Sequence, residues 1–181
     1  MKLISEKVSY NIDKSELTIV ILGRVERWKE TLLLAWLFAW SLCGAVFFYA
    51  LIYESSKEMK LTLFIMLMFW VYFEIKIGRT FLFRKFGSEL IKITEEKISV
   101  KQGIKGYGKA DEYFIENISG LGKIERSEKS FFGFIEKSFW FLGYETIGFE
   151  HKNKMIKFAM QLTQQETTKV LNLIQQKLKN K

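Results

Sequence analysis

The chain has 181 residues, room for one modest domain beside any membrane segments, and its 49% hydrophobic and 27% charged residues fall in separate stretches. The formal charge of +8 is densest at residues 61–87, where four Lys/Arg face one Glu; this suits anionic lipid headgroups, and no aromatic-and-basic nucleic-acid module is legible. A single cysteine (Cys43) rules out a disulfide framework or thiol metal site, and a single histidine (His151) rules out a His-based triad or a multi-histidine metal site built from this chain alone.

In chain order, Val8, Tyr10 and Ile12 alternate with polar residues, as do Leu17, Ile19 and Ile21. With Asp13–Ser15 as a turn, the pattern predicts a β-hairpin. Such a hairpin is marginal alone and needs a partner sheet, which the β-domain beyond the second span, residues 88–160, is expected to supply. From Thr31 to Tyr53 no residue is charged; at 1.5 Å per residue these 23 residues reach about 34 Å, enough to cross a bilayer core. Leu61–Phe73 is a second uncharged run, too short by itself. Snorkelling Lys60, Lys76 and Arg79 extend it to Lys60–Ile77. The short connector from Glu54 to Lys60 predicts an antiparallel transmembrane hairpin. Six Lys/Arg lie in residues 1–30, and Arg79, Arg84 and Lys85 close the second span. The positive-inside rule then places both termini in the cytoplasm, in a multi-pass protein of the cytoplasmic membrane.

Beyond the membrane, Ile91 and Ile93, then Ile98 and Val100 across a Glu95–Glu96 turn, predict two strands. Ile147 and Phe149 form another strand face, and Lys152–Asn153–Lys154 turns the chain into a strand with Ile156, Phe158 and Met160. Thr163 and Glu166 form a capping box for a terminal helix whose apolar face is Val170, Leu171, Ile174 and Leu178. Several short strands followed by one amphipathic helix suggest a small barrel closed at one end by that helix.

Over roughly residues 88–179 the sequence resembles the membrane-anchored bacterial PH-like domains. The resemblance rests on Thr94, Ile98, Val100 and Gly103 in a first hairpin, Ile115 and Ile118 at a corner, and Gly143, Thr146 and Ile147 leading a later strand. It departs from the family's pattern in lacking the corner proline and in its Gly143–Tyr144–Glu145–Thr146 spacing. The resemblance implies an α+β membrane protein: a two-helix transmembrane hairpin carrying a cytoplasmic PH-like β-barrel with a C-terminal amphipathic helix. The expected division is an N-terminal β-hairpin and juxtamembrane segment at 1–30, a transmembrane hairpin at 31–80 and a PH-like domain at 81–181.

Chemistry-bearing motifs are few. Gly103 to Lys109 fits the first seven positions of a phosphate-binding P-loop, but Ala110 stands where a Mg²⁺-binding hydroxyl is needed, and Asp111 and Glu112 follow. A Gly-rich hairpin loop is expected there instead. His151, by parity, shares a strand face with Ile147 and Phe149. Glu74 is expected as an interfacial charge with Lys76, Arg79, Arg84 and Lys85, with a proton-relay or enzymatic role as the alternative. Ala35, Ala39 and Cys43 recur every four residues, a small-residue face that permits close helix packing, either within the hairpin or onto a partner subunit. Phe131, Phe132, Phe134, Phe139, Trp140 and Phe141 make an aromatic segment whose place is the core, the membrane interface or a partner surface. No cofactor is implied. The expectation is a non-enzymatic accessory or scaffold subunit of a larger membrane complex, in contact with the bilayer and with other membrane subunits. A lipid- or ligand-sensing module holding anionic headgroups is the rival.

Overall fold

A computed structural model describes residues 1–13, 15–124, 138, 140 and 142–179. The N-terminal strands β1 (Lys2–Leu3), β2 (Val8–Ile12) and β3 (Leu17–Leu22) precede helix α1 (Arg27–Tyr53) and helix α2 (Lys57–Phe86). Strands β4 (Gly87–Ile93), β5 (Lys97–Ile104) and β6 (Ala110–Phe114) follow, then β7 (Ile118–Lys123), β8 (Glu145–His151), β9 (Lys154–Met160) and helix α3 (Gln164–Lys179). The fold is α+β.

Both long helices are long and apolar enough to cross a membrane. They start earlier and, for α2, end later than the charge-free runs suggest. Arg27, Lys29 and Glu30 form the first turn of α1, where Glu26 accepts from Trp28 Nε1 at 2.6 Å and pairs with Lys29 at 2.8 Å. The link between the helices is only Glu54–Ser56: the Glu54 carboxylate accepts from the N–H groups of Ser55 and Ser56, and Ser56 Oγ caps α2 by accepting from Met59 N–H. With no Pro and only one internal Gly to stop it, α2 continues nine residues past the expected end at Ile77 and passes into β4 without a loop.

The strands form two antiparallel sheets, one in the order β1-β2-β3-β4-β5-β6 and one in the order β7-β8-β9. Both sheets are open, where a barrel was expected. The N-terminal hairpin does join the post-membrane strands: β3 pairs with β4 from Leu17↔Ile93 to Leu22↔Ser88. The ladder is prolonged by Gly23 N–H donating to Gly87 C=O at 3.0 Å. The whole two-helix hairpin thus occupies the place of the turn in an ordinary β-hairpin. Both glycines are required there, because a Cβ at either would fall within 2.7 Å of Phe83 atoms.

Inward residues of β3, β4 and β5 (Leu17, Ile19, Ile21, Ile91, Ile93, Ile98, Val100) meet Ile147 and Phe149 of β8 and Phe158 of β9. Val170, Leu171 and Ile174 of α3 complete this core. The α3 N-terminus is the expected capping box: Thr163 N–H donates to Glu166 Oε2 at 2.8 Å, and Glu166 N–H returns to Thr163 Oγ1 at 3.3 Å. The loop at 104–107 is a two-residue hairpin with Lys105 and Gly106 both at positive φ, and Ile104 and Tyr107 exchange backbone bonds. It has hairpin geometry and no helix follows it.

Candidate functional site

Two polar sites stand out against this apolar framework. The first lies where α2 becomes β4. Alternation along β4 points Gly87, Glu89, Ile91 and Ile93 to the same buried face, so Glu89 is carried into the core at 1% exposure. Its carboxylate bridges the two sheets. Oε2 accepts from Met160 N–H at 2.8 Å, and Oε1 from Ala159 N–H at 3.2 Å and Gln102 Nε2 at 3.4 Å. The two consecutive N–H groups converge because Ala159 and Gln161 adopt φ of 63° and 51°, kinking the end of β9 into an anion-binding nest. Burial pushes the Glu89 carboxyl above the usual carboxylate range, against the opposing pull of the hydrogen bonds from Met160, Gln102 and Ala159. Arg84, 3% exposed in the last turn of α2, lines the same narrow cleft with Lys7 and Arg24. This cluster joins the end of α2 to both sheets. Glu89 was not singled out from the sequence, although its parity with Ile91 and Ile93 carries the signal.

The second site lies between the helices. Among the less exposed residues of α1, Leu33, Leu37, Trp40, Gly44, Phe47 and Leu51 are spaced four, three, four, three, four. Among those of α2, Leu63, Leu67, Trp70, Glu74, Ile77, Phe81 and Arg84 follow the same rhythm. This is a heptad seam. At its centre Gly44 makes room for Trp70; a Cβ there would stand 2.1 Å from the indole. Trp70 Nε1 donates to Trp40 C=O at 2.7 Å, and Ser41 Oγ donates to Glu74 Oε1 at 2.8 Å. Measured along α2, Glu74 sits beside Lys76 and Arg79. Its partner Ser41, however, is about 15 Å from Thr31 and about 18 Å from Tyr53, midway along the charge-free run of α1.

The other candidate residues scatter. Ala35, Ala39 and Cys43 are exposed and lie off the seam. Lys76 is exposed with its ammonium 5.0 Å from the Tyr72 ring centroid, and Arg79 is exposed. Lys85 pairs with Glu30 at 3.6 Å and stands over Phe81 and Phe86. Phe131, Phe132, Phe134, Phe139 and Phe141 lie outside the described residues. Trp140 is described: it meets Trp36 edge-on at 5.7 Å, and Trp36 stacks on Trp40 at 5.1 Å. His151 packs edge-on against Tyr113 at 5.2 Å. Among the described residues no group of three His, Cys, Asp or Glu is placed to hold a metal.

Both sites join elements: Glu89 ties the two sheets, and the Ser41–Glu74 pair ties the two long helices. No family model, no curated protein and no solved structure matches this chain.

Proposed function

We propose that the protein is a membrane-anchored accessory or scaffold subunit of a larger membrane complex, without enzymatic activity of its own. Its PH-like domain and both termini face the cytoplasm. The observation that carries this reading is the outward placement of Ala35, Ala39 and Cys43. The hairpin closes through the Leu33–Leu51 seam and leaves the small-residue face unused. Helix association in lipid relies on close packing, and a lipid-facing helix gains nothing from small residues at every fourth position.

Ala39→Leu is therefore expected to weaken the complex while leaving the protein inserted and as stable as wild type, since Leu is favourable in lipid. Migration on native gels, compared with total membrane level and thermal midpoint in detergent, checks it. A loss of membrane level would put the stripe inside the hairpin and remove the support for a partner subunit. Orientation is tested in a Cys43→Ser background. Ser55→Cys, in the tight turn, should react with an impermeant maleimide from outside the cell, and Asn153→Cys only after the membrane is opened. The reverse pattern would invert the topology.

The lipid-sensing alternative draws support from the cleft lined by Lys7, Arg24 and Arg84 beside the ends of the two helices. Salt-sensitive binding to anionic vesicles, lost in Arg24→Gln, is its expected signature.

A further inference from the structure

A groove of about 580 Å³ lies between the N-terminal strands and α3, on the edge of the six-stranded sheet. Its apolar part comprises Leu3, Ile4, Tyr10 and Leu173, and its cationic part Lys169 and Lys179. Among the described residues nothing acidic lines it. One wall is β1, an edge strand that pairs with β2 alone.

The register fixes what that edge offers. Ile4 N–H donates to Val8 C=O at 2.9 Å, and Lys2 faces Tyr10 and Leu3 faces Ser9. Hydrogen-bonded and non-hydrogen-bonded pairs alternate in an antiparallel ladder, so Leu3 is the residue whose N–H and C=O point away from β2. A row of outward backbone groups beside an apolar trough is a template for one more strand. Lys169 and Lys179 are ten residues apart on α3, about 15 Å, the length of four or five extended residues.

From this geometry we infer that the groove receives an extended segment of a partner protein, added as a strand to β1, with apolar side chains on Leu3, Ile4, Tyr10 and Leu173 and acidic residues near its two ends facing Lys169 and Lys179. The inference rests on the accessory-subunit reading and gives it a partner chemistry. The absence of acidic lining selects the charge of the occupant. The outward N–H and C=O of Leu3 select its extended form.

The test uses the full-length protein in detergent micelles and a fluorescein-labelled, capped peptide of alternating valine and threonine with two glutamates at each end. Its counterpart carries lysines in place of the glutamates. The glutamate peptide should bind at least about tenfold more tightly than the lysine peptide. Leu3→Pro removes the outward N–H without touching the β1–β2 ladder, and should cost about tenfold in affinity at an unchanged thermal midpoint. The Lys169→Glu/Lys179→Glu pair should cost as much and begin to accept the lysine peptide, which keeps the test decisive if Leu3→Pro fails to fold.

Equal binding of the two peptides, no binding of either, or indifference to both sets of substitutions overturns the inference. So does displacement of the bound peptide by phosphatidylglycerol vesicles, which would assign the groove to lipid. A wild-type dimer that Leu3→Pro converts to monomer would assign it to a second copy and equally overturn it. The peptide titration decides the groove, whereas Ala39→Leu in native membranes decides the accessory-subunit reading, so either can fail alone.

Discussion

Glu89→Ala is expected to lower the thermal midpoint of the protein's β-rich domain by roughly 10–20 °C, read by a thermal melt of the purified protein at neutral pH. The substitution leaves the N–H groups of Ala159 and Met160 buried with no acceptor where they converge. Each orphaned buried donor costs about 1–3 kcal/mol, so a total of about 2–6 kcal/mol follows, and a domain of this size moves several degrees per kcal/mol. Glu89→Gln does not rescue it fully, because the amide NH₂ must face one of the donors. The effect also depends on pH. Because burial raises the Glu89 carboxyl in the folded protein, the folded state holds its proton more tightly than the unfolded chain does. Its contribution is complete below the ordinary glutamate pKa and is lost as pH rises through the raised folded value. The stability gap between wild type and Glu89→Ala should therefore narrow as pH climbs above the ordinary carboxylate range. A gap independent of pH would mean that Glu89 is ionised in the fold to the same extent as in the unfolded chain.

Much of this arrangement was legible in the residues themselves. Period-two alternation located β2, β3, β4, β5, β8 and β9, because each strand has one wet face and one dry face. The charge-free runs located both long helices, and Thr163 with Glu166 located the start of α3. What escaped the sequence was decided by three-dimensional complementarity. A helix that is apolar on every side carries no polar residue to mark its seam, so the sequence marked only Ala35–Ala39–Cys43 as a packing face and gave no sign of Leu33–Trp40–Gly44–Phe47. The indole of Trp70 fits only against a residue without a side chain, and that singles out Gly44. Glu89 was obscured by the opposite effect: a carboxylate in a predicted strand reads as a wet-face residue unless its parity is followed through Ile91 and Ile93. The placement of the two-helix hairpin between β3 and β4 was legible in part, since the N-terminal hairpin was expected to pair with a strand beyond the second apolar run. Register, set by Leu22↔Ser88, gave it its place.

Gly44→Val is expected to be the most damaging single change within the two-helix hairpin. Even the first carbon of the new side chain would overlap the Trp70 ring, and that ring has little freedom to retreat because its Nε1 donates to Trp40 C=O at 2.7 Å. Overpacking of a tight contact costs about 1–3 kcal/mol where neighbours can shift. Here the neighbour is a large tethered indole, so the upper part of that range is expected, with a clear fall in membrane level and in thermal midpoint in detergent. The signature that separates overlap from a general intolerance of Val is rescue. Trp70→Leu alone should destabilise, by emptying part of the seam and losing the indole hydrogen bond. Combined with Gly44→Val it should restore much of the loss, giving a favourable coupling of about 1–3 kcal/mol in the double-mutant cycle. The outcome also bears on the partner surface. Gly44 and Trp70 share one helix register with Ser41 and Glu74, and that register is what turns Ala35, Ala39 and Cys43 outward. If Gly44→Val were neutral, the two helices would meet along another face, and the small-residue stripe would be free to lie in the hairpin seam. The subunit reading would then lose the observation on which it stands, whatever Ala39→Leu did to the complex.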